Sequence, residues 1–327
     1  MASSGFYPIL DSLVAAGLNT VIFDLKNMKG DVFFSGVQKD SLLNAKHKPI
    51  FSIESVIKEL HARNLKAVAR MVMFHDTYLA EKMEEARPES RTSGKAWTEN
   101  KRRGPAWLDP SDIFVQRNLL DLIKIACSSG IDELQLDYIR FPTQGNLADA
   151  VFDFEKEDAI QLEADSTYTE RTKTDIIEDF VFEVRQICSE WKVTLTADIF
   201  AIVAWQREQD VRNTGQDITR LSPHLDAIHP MIYSSHFDKN FSYREDTHNE
   251  PYYIVYQAAR LTGEKADSLC RVIPYIQANG WQVNYGREYV WAQLKAVEDS
   301  GSNGFIIWNS SNKYFKTLNW IKDYYHR

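Results

Sequence analysis

The sequence predicts a parallel α/β barrel, a (β/α) TIM barrel in which each strand is followed by a helix packed on the outside. Three observations predict it. Short apolar runs rich in β-branched residues recur along the whole chain, amphipathic helical stretches separate them, and the loops after the runs are long while those before them are short. At 327 residues the chain holds one such domain with long loops, so 1–327 reads as a single barrel; the fold typically takes ~250 residues.

Seven runs read as strands: 20–25 (TVIFDL), 66–74 (KAVARMVMF), 133–140 (ELQLDYIR), 194–200 (TLTADIF), 226–233 (DAIHPMIY), 271–277 (RVIPYIQ) and 304–309 (GFIIWN). Helical spacing covers 7–16, 53–63, 111–128, 172–191 and 287–300. Gly17, Gly130 and Gly301 each follow such a stretch, where a left-handed cap ends a helix. An eight-stranded barrel needs one strand more, and this chain opens on a helix. The first strand is therefore expected upstream of Met1 or within an irregular segment. A doubly wound open sheet is the alternative, disfavoured because the first strand-to-helix turn carries no glycine-rich phosphate loop.

Composition narrows the partners. A formal net charge of −8 argues against an electrostatic nucleic-acid binder, which needs a basic face. No apolar stretch is long enough to cross a bilayer. The opening segment MASSGFYPILDSLVAAG lacks the positive charge of an export signal, and Asp11 interrupts its apolar part. A mature exported chain would show no signal either. Cys127, Cys188 and Cys270 are too few and too scattered for a disulfide framework or zinc site, and read as small buried apolar residues. Nothing in the sequence fixes the oligomeric state.

Strand alternation then sorts the polar residues. Leu134, Leu136 and Tyr138 share one face of their strand, Gln135 and Asp137 the other. Asp24 stands opposite Val21 and Phe23, Arg70 opposite Ala69 and Met71, and Thr196 and Asp198 opposite Leu195 and Ala197. Buried charges need partners, so Asp24, Arg70, Asp137 and Asp198 are expected to ring one barrel mouth as a polar pocket. A structural salt-bridge cluster closing the barrel top is the bland alternative. Asp137 and Asp198 end neighbouring strands. Glycoside hydrolysis uses two carboxyl groups, one to protonate the leaving oxygen and one to attack or to activate water. Arg70 or Arg140 would keep one Asp ionised while drier surroundings raise the pKa of the other. Which is which stays open at this level.

Aromatic residues make up 12% of the chain, and Trp97, Trp107, Trp205, Trp281 and Trp308 fall at or beyond strand C-termini. Several such rings suit the apolar faces of sugars, although any one of them is as well explained by loop packing. Lys26 reads as an ion-pair partner beside Asp24, and the KRR run at 101–103 as a solvated loop, with contact to anionic polymers as its alternative. His229 and His236 bracket one strand end without an HxH or HExxH pattern, so no metal and no cofactor is expected.

At the segments NTVIFDLKNMKGDVFF, VARMVMFHD, LQLDYIRFPT, LTADIFAIVAW, LDAIHPMIYSSHF, IPYIQANGW and GFIIWNSSNKY the chain resembles a family of bacterial glycosyl hydrolase domains, long classed as domains of unknown function. These segments span 19–314, nearly the whole chain, and DYIRFP is the most specific. The resemblance implies a TIM barrel related to amylase-like and galactosidase-like hydrolases, with a first strand ahead of the opening helix. It implies a carbohydrate substrate, no cofactor, and an exported or envelope-associated setting. By analogy with barrels that place carboxylates on neighbouring strands, Asp137 is expected to be nucleophile or base and Asp198 the general acid. Asp24, Arg70, Arg140, Trp205, Tyr233, His236, Gln277, Trp308 and Asn309 are expected to line the cleft. A non-catalytic glycan-binding barrel serving cell-envelope maintenance is the second reading, and a metal-dependent hydrolase the third.

Overall fold

The computed structural model describes residues 6–36, 46–100 and 102–326. Twelve strands occur among them: β1 (Thr20–Lys26), β2 (Val32–Phe34), β3 (His47–Phe51), β4 (Lys66–Val72), β5 (Glu89–Ser90), β6 (Glu133–Asp137), β7 (Ala150–Val151), β8 (Thr194–Phe200), β9 (Ala227–Ile232), β10 (Arg271–Val272), β11 (Tyr275–Gln277) and β12 (Ile306–Trp308). β5 and β7 form a small antiparallel pair of their own. In the main sheet β1, β4, β6, β8, β9, β11 and β12 lie side by side and parallel in chain order, with β10 extending the ladder on β9. β10 and β11 are the expected run 271–277, interrupted at Ile273 and Pro274, where proline cannot donate to a ladder. All seven expected strands are therefore present.

Strictly sequential parallel order has no reversal point, which removes the doubly wound alternative and leaves a TIM-barrel-like arrangement. The order is nonetheless open: no strand joins β12 to β1 among the described residues. Val21, Ile22 and Phe23 of β1, beyond which the sheet continues only through β2 (antiparallel, at Lys26) and β3, and Ile306, Ile307 and Trp308 of the edge strand β12 are half-buried, whereas β6 is buried throughout. The helical layer does pass across this gap, since helix Phe6–Ala15 packs on helix Phe315–Tyr325.

Alternation sets the packing. Leu134, Leu136, Leu195, Ala197 and Ile199 join the outer apolar core with Leu119 and Ile123 of helix Ile113–Ser128 and Ile177, Phe180 and Val184 of helix Lys173–Trp191. A second core gathers Ile232 and Ile276 with helices Pro251–Lys265, Arg287–Asp299 and Phe315–Tyr325. The five expected helices appear within about two residues of their predicted ends. Helices Asp153–Ala164, Pro251–Lys265 and Phe315–Tyr325 fall where loops or nothing were expected. The first buries only Phe154 and Asp158, so it carries no apolar stripe to read.

The three cysteines are buried and unpaired as read, with Cys127 Sγ and Cys188 Sγ 3.9 Å apart between the two long helices. No helix among the described residues is long and apolar enough to cross a membrane.

Candidate active site

Cross-strand register builds the site. Asp24 of β1 stands beside Arg70 of β4, Arg70 beside Gln135 of β6, and Gln135 beside Thr196 of β8. Residues of equal parity on neighbouring parallel strands face the same side, so Asp24, Arg70, Asp137 and Asp198 converge as expected. Arg70 is their centre. Its Nη1 donates to Asp24 Oδ1 at 2.6 Å, its Nε donates to Asp137 Oδ2 at 3.1 Å, and its Nη2 donates to the same oxygen. The Nε also lies 3.9 Å from Asp198 Oδ2. Burial pulls the Arg70 pKa down, but Asp137, Asp24 and Asp198 outweigh it and hold the guanidinium charged.

The two central carboxyls live in different surroundings. Asp137 Oδ1 accepts the backbone N–H of Tyr138 at 2.6 Å, so Asp137 receives three donors in all. Tyr138 holds a left-handed φ of 53°, uncommon for an aromatic residue, and this turn ends the strand and swings its N–H back onto the carboxylate. Asp198 is 1% exposed. Its Oδ1 accepts from Gln135 Nε2, which also reaches Tyr275 Oη at 2.8 Å. Burial and then the charge of Asp137 push the Asp198 pKa well up, against the opposing pull of Arg70 and Gln135. Arg70 Nε lies 3.1 Å from Asp137 Oδ2 and 3.9 Å from Asp198 Oδ2, so these two carboxyl oxygens stand at most roughly 7 Å apart, below the ~9.5 Å upper limit of the separations that glycosidases use.

Toward the other end of these strands lies a second polar layer, buried except for the half-buried Lys66. Glu133 Oε2 accepts from Lys66 Nζ at 2.6 Å, Thr196 Oγ1 donates to Glu133 Oε1 at 2.9 Å, and His229 Nε2 lies 3.7 Å from the same oxygen. Burial raises the Glu133 pKa, but His229 and Lys66 outweigh it and bring it to about 2. The other nitrogen of His229, Nδ1, bonds Ile273 O at 2.9 Å, so this histidine is fixed inside the core.

Aromatic residues wall one side of the mouth. Tyr233 stands 4.8 Å from Trp308 and 5.3 Å from His236, whose ring is 4.9 Å from Trp281. Trp281 is the exposed member at 53%. Gln277 and Asn309, expected to touch substrate, instead spend their amides inside the protein. Gln277 accepts from Ser235 and donates to the carbonyls of Asn279 and Trp281. Asn309 donates to Ala278 O and Lys313 O and accepts from Ser311 N and Lys313 N. Both clamp the loops that carry the wall. Trp205 packs edge-on against Phe241 at 4.9 Å and Phe237 at 5.9 Å, and Trp97 ties its Nε1 to Asn146 O.

The opposite wall holds Trp107, Tyr138 and His75, each within 5.8 Å of the others, with Arg140 against them. His75, Tyr275 and Gln135 are site members that the sequence reading did not single out as cleft residues, although Gln135 and Tyr275 share the inward parity of Asp137 and Gln277. Lys26 requires a correction. It is wholly buried and pairs with Asp76 at 2.9 Å, not with Asp24. A bulge between Asp24 and Lys26 breaks the alternation that would have put them on one face. No group of three or more His, Cys, Asp or Glu able to hold a metal occurs among the described residues.

Comparison with known proteins places this geometry in context. No functionally curated protein matches the sequence. Among solved structures, the chain is similar to the glycoside hydrolase domain of PgaB (BpsB) from Bordetella bronchiseptica, with 13% identity, TM-score 0.64, and coverage of 97% of this chain and 91% of that one. It is similar to a β-galactosidase from the psychrophilic Marinomonas ef1 at 10% identity and TM-score 0.62, covering 94% of this chain and 52% of that one. A chitinase from Chromobacterium violaceum aligns at 10% identity and TM-score 0.53, over 100% of this chain and 97% of that one. At such identities the likeness establishes the fold. The family is established by sequence: its model, described as "Putative glycosyl hydrolase domain", matches residues 2–314, and the chain belongs to that family of glycosyl hydrolase domains.

Proposed function

We propose that this chain hydrolyses O-glycosidic bonds of an oligosaccharide or polysaccharide with Asp137 and Asp198 as its carboxyl pair and without a cofactor. The observation that carries the reading is the single guanidinium of Arg70 shared unequally by two carboxyls. Asp137 takes three donors, whereas Asp198 is buried beside it and has its pKa pushed well up by burial and by the neighbouring Asp137 charge. Two carboxyl groups in such unequal surroundings suit division into acid and base. Asp198 then donates its proton to the leaving oxygen, and Asp137 attacks the anomeric carbon or takes a proton from water. Tyr233, Trp308, His236 and Trp281 offer ring faces to the sugar, and Asp24 offers an exposed carboxylate to its hydroxyls.

The test is release of reducing ends from a panel of polysaccharides and aryl glycosides. Asp137→Asn and Asp198→Asn should each lower turnover by roughly 10²-fold or more with the fold intact. Full activity in both variants overturns the proposal.

One observation favours a second reading, a glycan-binding barrel without turnover: Asp137 and Asp198 are only 3% and 1% exposed beneath Arg70. Under that reading glycans bind, no reducing ends appear, and the two Asn variants bind as the parent does.

A further inference from the structure

Two arginines feel the charge of Asp137 and are treated oppositely. Arg70 is surrounded by three carboxylates, whereas Arg140 forms no ion pair with any described residue. Yet Arg140 is only 9% exposed. Every other described arginine either pairs with a carboxylate or lies at the surface. In a chain with 46 acidic against 38 basic residues, a buried cation with no carboxylate at ion-pair distance, only the more distant charges of Asp137 and Glu99, stands out.

What surrounds Arg140 is a cage of rings. Its guanidinium lies 4.8 Å from the Trp107 ring, 5.2 Å from Tyr138 and 4.9 Å from Phe200. Nη1 donates to Phe141 O at 3.0 Å and more weakly to Thr143 Oγ1 at 3.4 Å. Nε and Nη2 make no hydrogen bond to a described residue. The cage contains a second unanswered donor, since Trp107 Nε1 is buried without a partner. A buried donor without an acceptor, beside guanidinium nitrogens that no described protein group takes, fits an acceptor from outside the protein. The position fits a substrate group: Tyr138, whose ring flanks Arg140, gives its N–H to Asp137. Arg102 and Arg103, both exposed, lie on the loop that leads into Trp107.

We propose that the Arg140 cage is an anion subsite of the glycan cleft, taking a carboxylate or a sulfate ester carried on the sugar next to the bond at Asp137. This rests on the glycan-hydrolase reading for its location, but its chemistry is binding and is measured without turnover. The planar fork of arginine matches such oxyanions, and stacking against three rings holds that fork in place.

The test is calorimetric binding of galacturonate, glucuronate and mannuronate oligosaccharides, sulfated galactose oligosaccharides, and neutral oligosaccharides of the same backbones. The protein is the full chain carrying Asp137→Asn to stop turnover. At least one anionic oligosaccharide should bind on the order of tenfold or more tightly than its neutral counterpart, and the carboxylated and sulfated arms decide which group is read. Arg140→Gln should abolish that preference, bringing anionic and neutral binding to within about twofold of each other. Should this variant fail to fold, Arg140→Lys takes its place, because it keeps the charge and loses the fork; the preference should fall several-fold. Absence of any anionic preference in the parent, its survival in folded Arg140→Gln, or an undiminished preference in Arg140→Lys overturns the proposal. Failure of the hydrolase reading looks different: anionic glycans bind through Arg140, and the chain with Asp137 intact releases no reducing ends.

Discussion

Arg70 Nε lies 3.9 Å from Asp198 Oδ2, too far to donate to it, because the same nitrogen donates to Asp137 at 3.1 Å. The hydrogen bond falls to one carboxyl and only the charge reaches the other. That inequality gives the two carboxyls different surroundings within one small site.

A pH profile reads it directly. If Asp198 is the proton donor, turnover falls as pH rises through its raised pKa. Gln135 donates to Asp198 and pulls that pKa down. Gln135→Met should therefore move the alkaline limb of kcat/KM to higher pH, whereas a merely structural Gln135 would lower the whole profile without shifting it.

Removing Arg70 tests the cluster from the other side. Arg70→Met leaves Asp24, Asp137 and Asp198 without their shared cation. Breaking a buried pair costs ~3–5 kcal/mol, so denaturant unfolding at neutral pH should show a loss of that order. The loss should shrink on acidification, as the orphaned carboxyls take up protons.

Glu133 sets a separate acid sensitivity. Its pKa in the folded chain is about 2, below the ordinary glutamate value of 4.5, so the folded state binds its proton less readily than the unfolded chain. The stability it contributes is fully present above the ordinary value and is lost as pH falls through the folded one. This amounts to on the order of 3 kcal/mol. Glu133→Gln should lower stability at neutral pH and flatten its decline between pH 4.5 and 2 in thermal unfolding curves.

Lys26 and Asp76 should behave as a unit. Each is buried, and Lys26 Nζ also donates to Val72 O. Lys26→Met alone should cost ~3–5 kcal/mol by stranding Asp76, and the double variant Lys26→Met, Asp76→Asn should recover much of it. Simple additivity in a double-mutant cycle contradicts the pairing.

How much of this was legible beforehand depends on the range of the interaction. Alternation along single strands located Asp24, Arg70, Asp137 and Asp198 on one face, because a two-residue period is a local property of the backbone. It also located the outward leucines of β6 and β8. Helix Asp153–Ala164 was missed because a polar helix leaves no periodic apolar signal.

The amino-acid sequence by itself determined the seven parallel strands, their order and the inward parity of the carboxyl ring, since each follows from local periodicity and chain order. Tertiary structure decided what those groups do to one another. Only the fold makes Arg70 choose Asp137 over Asp198, sends Lys26 across a bulge to Asp76, uses up Gln277 and Asn309 as clamps, and leaves Arg140 without a contact ion pair among the described residues. The physical reason is that a charge is fixed by its residue type, whereas its partner, burial and protonation depend on distances between segments far apart in the chain.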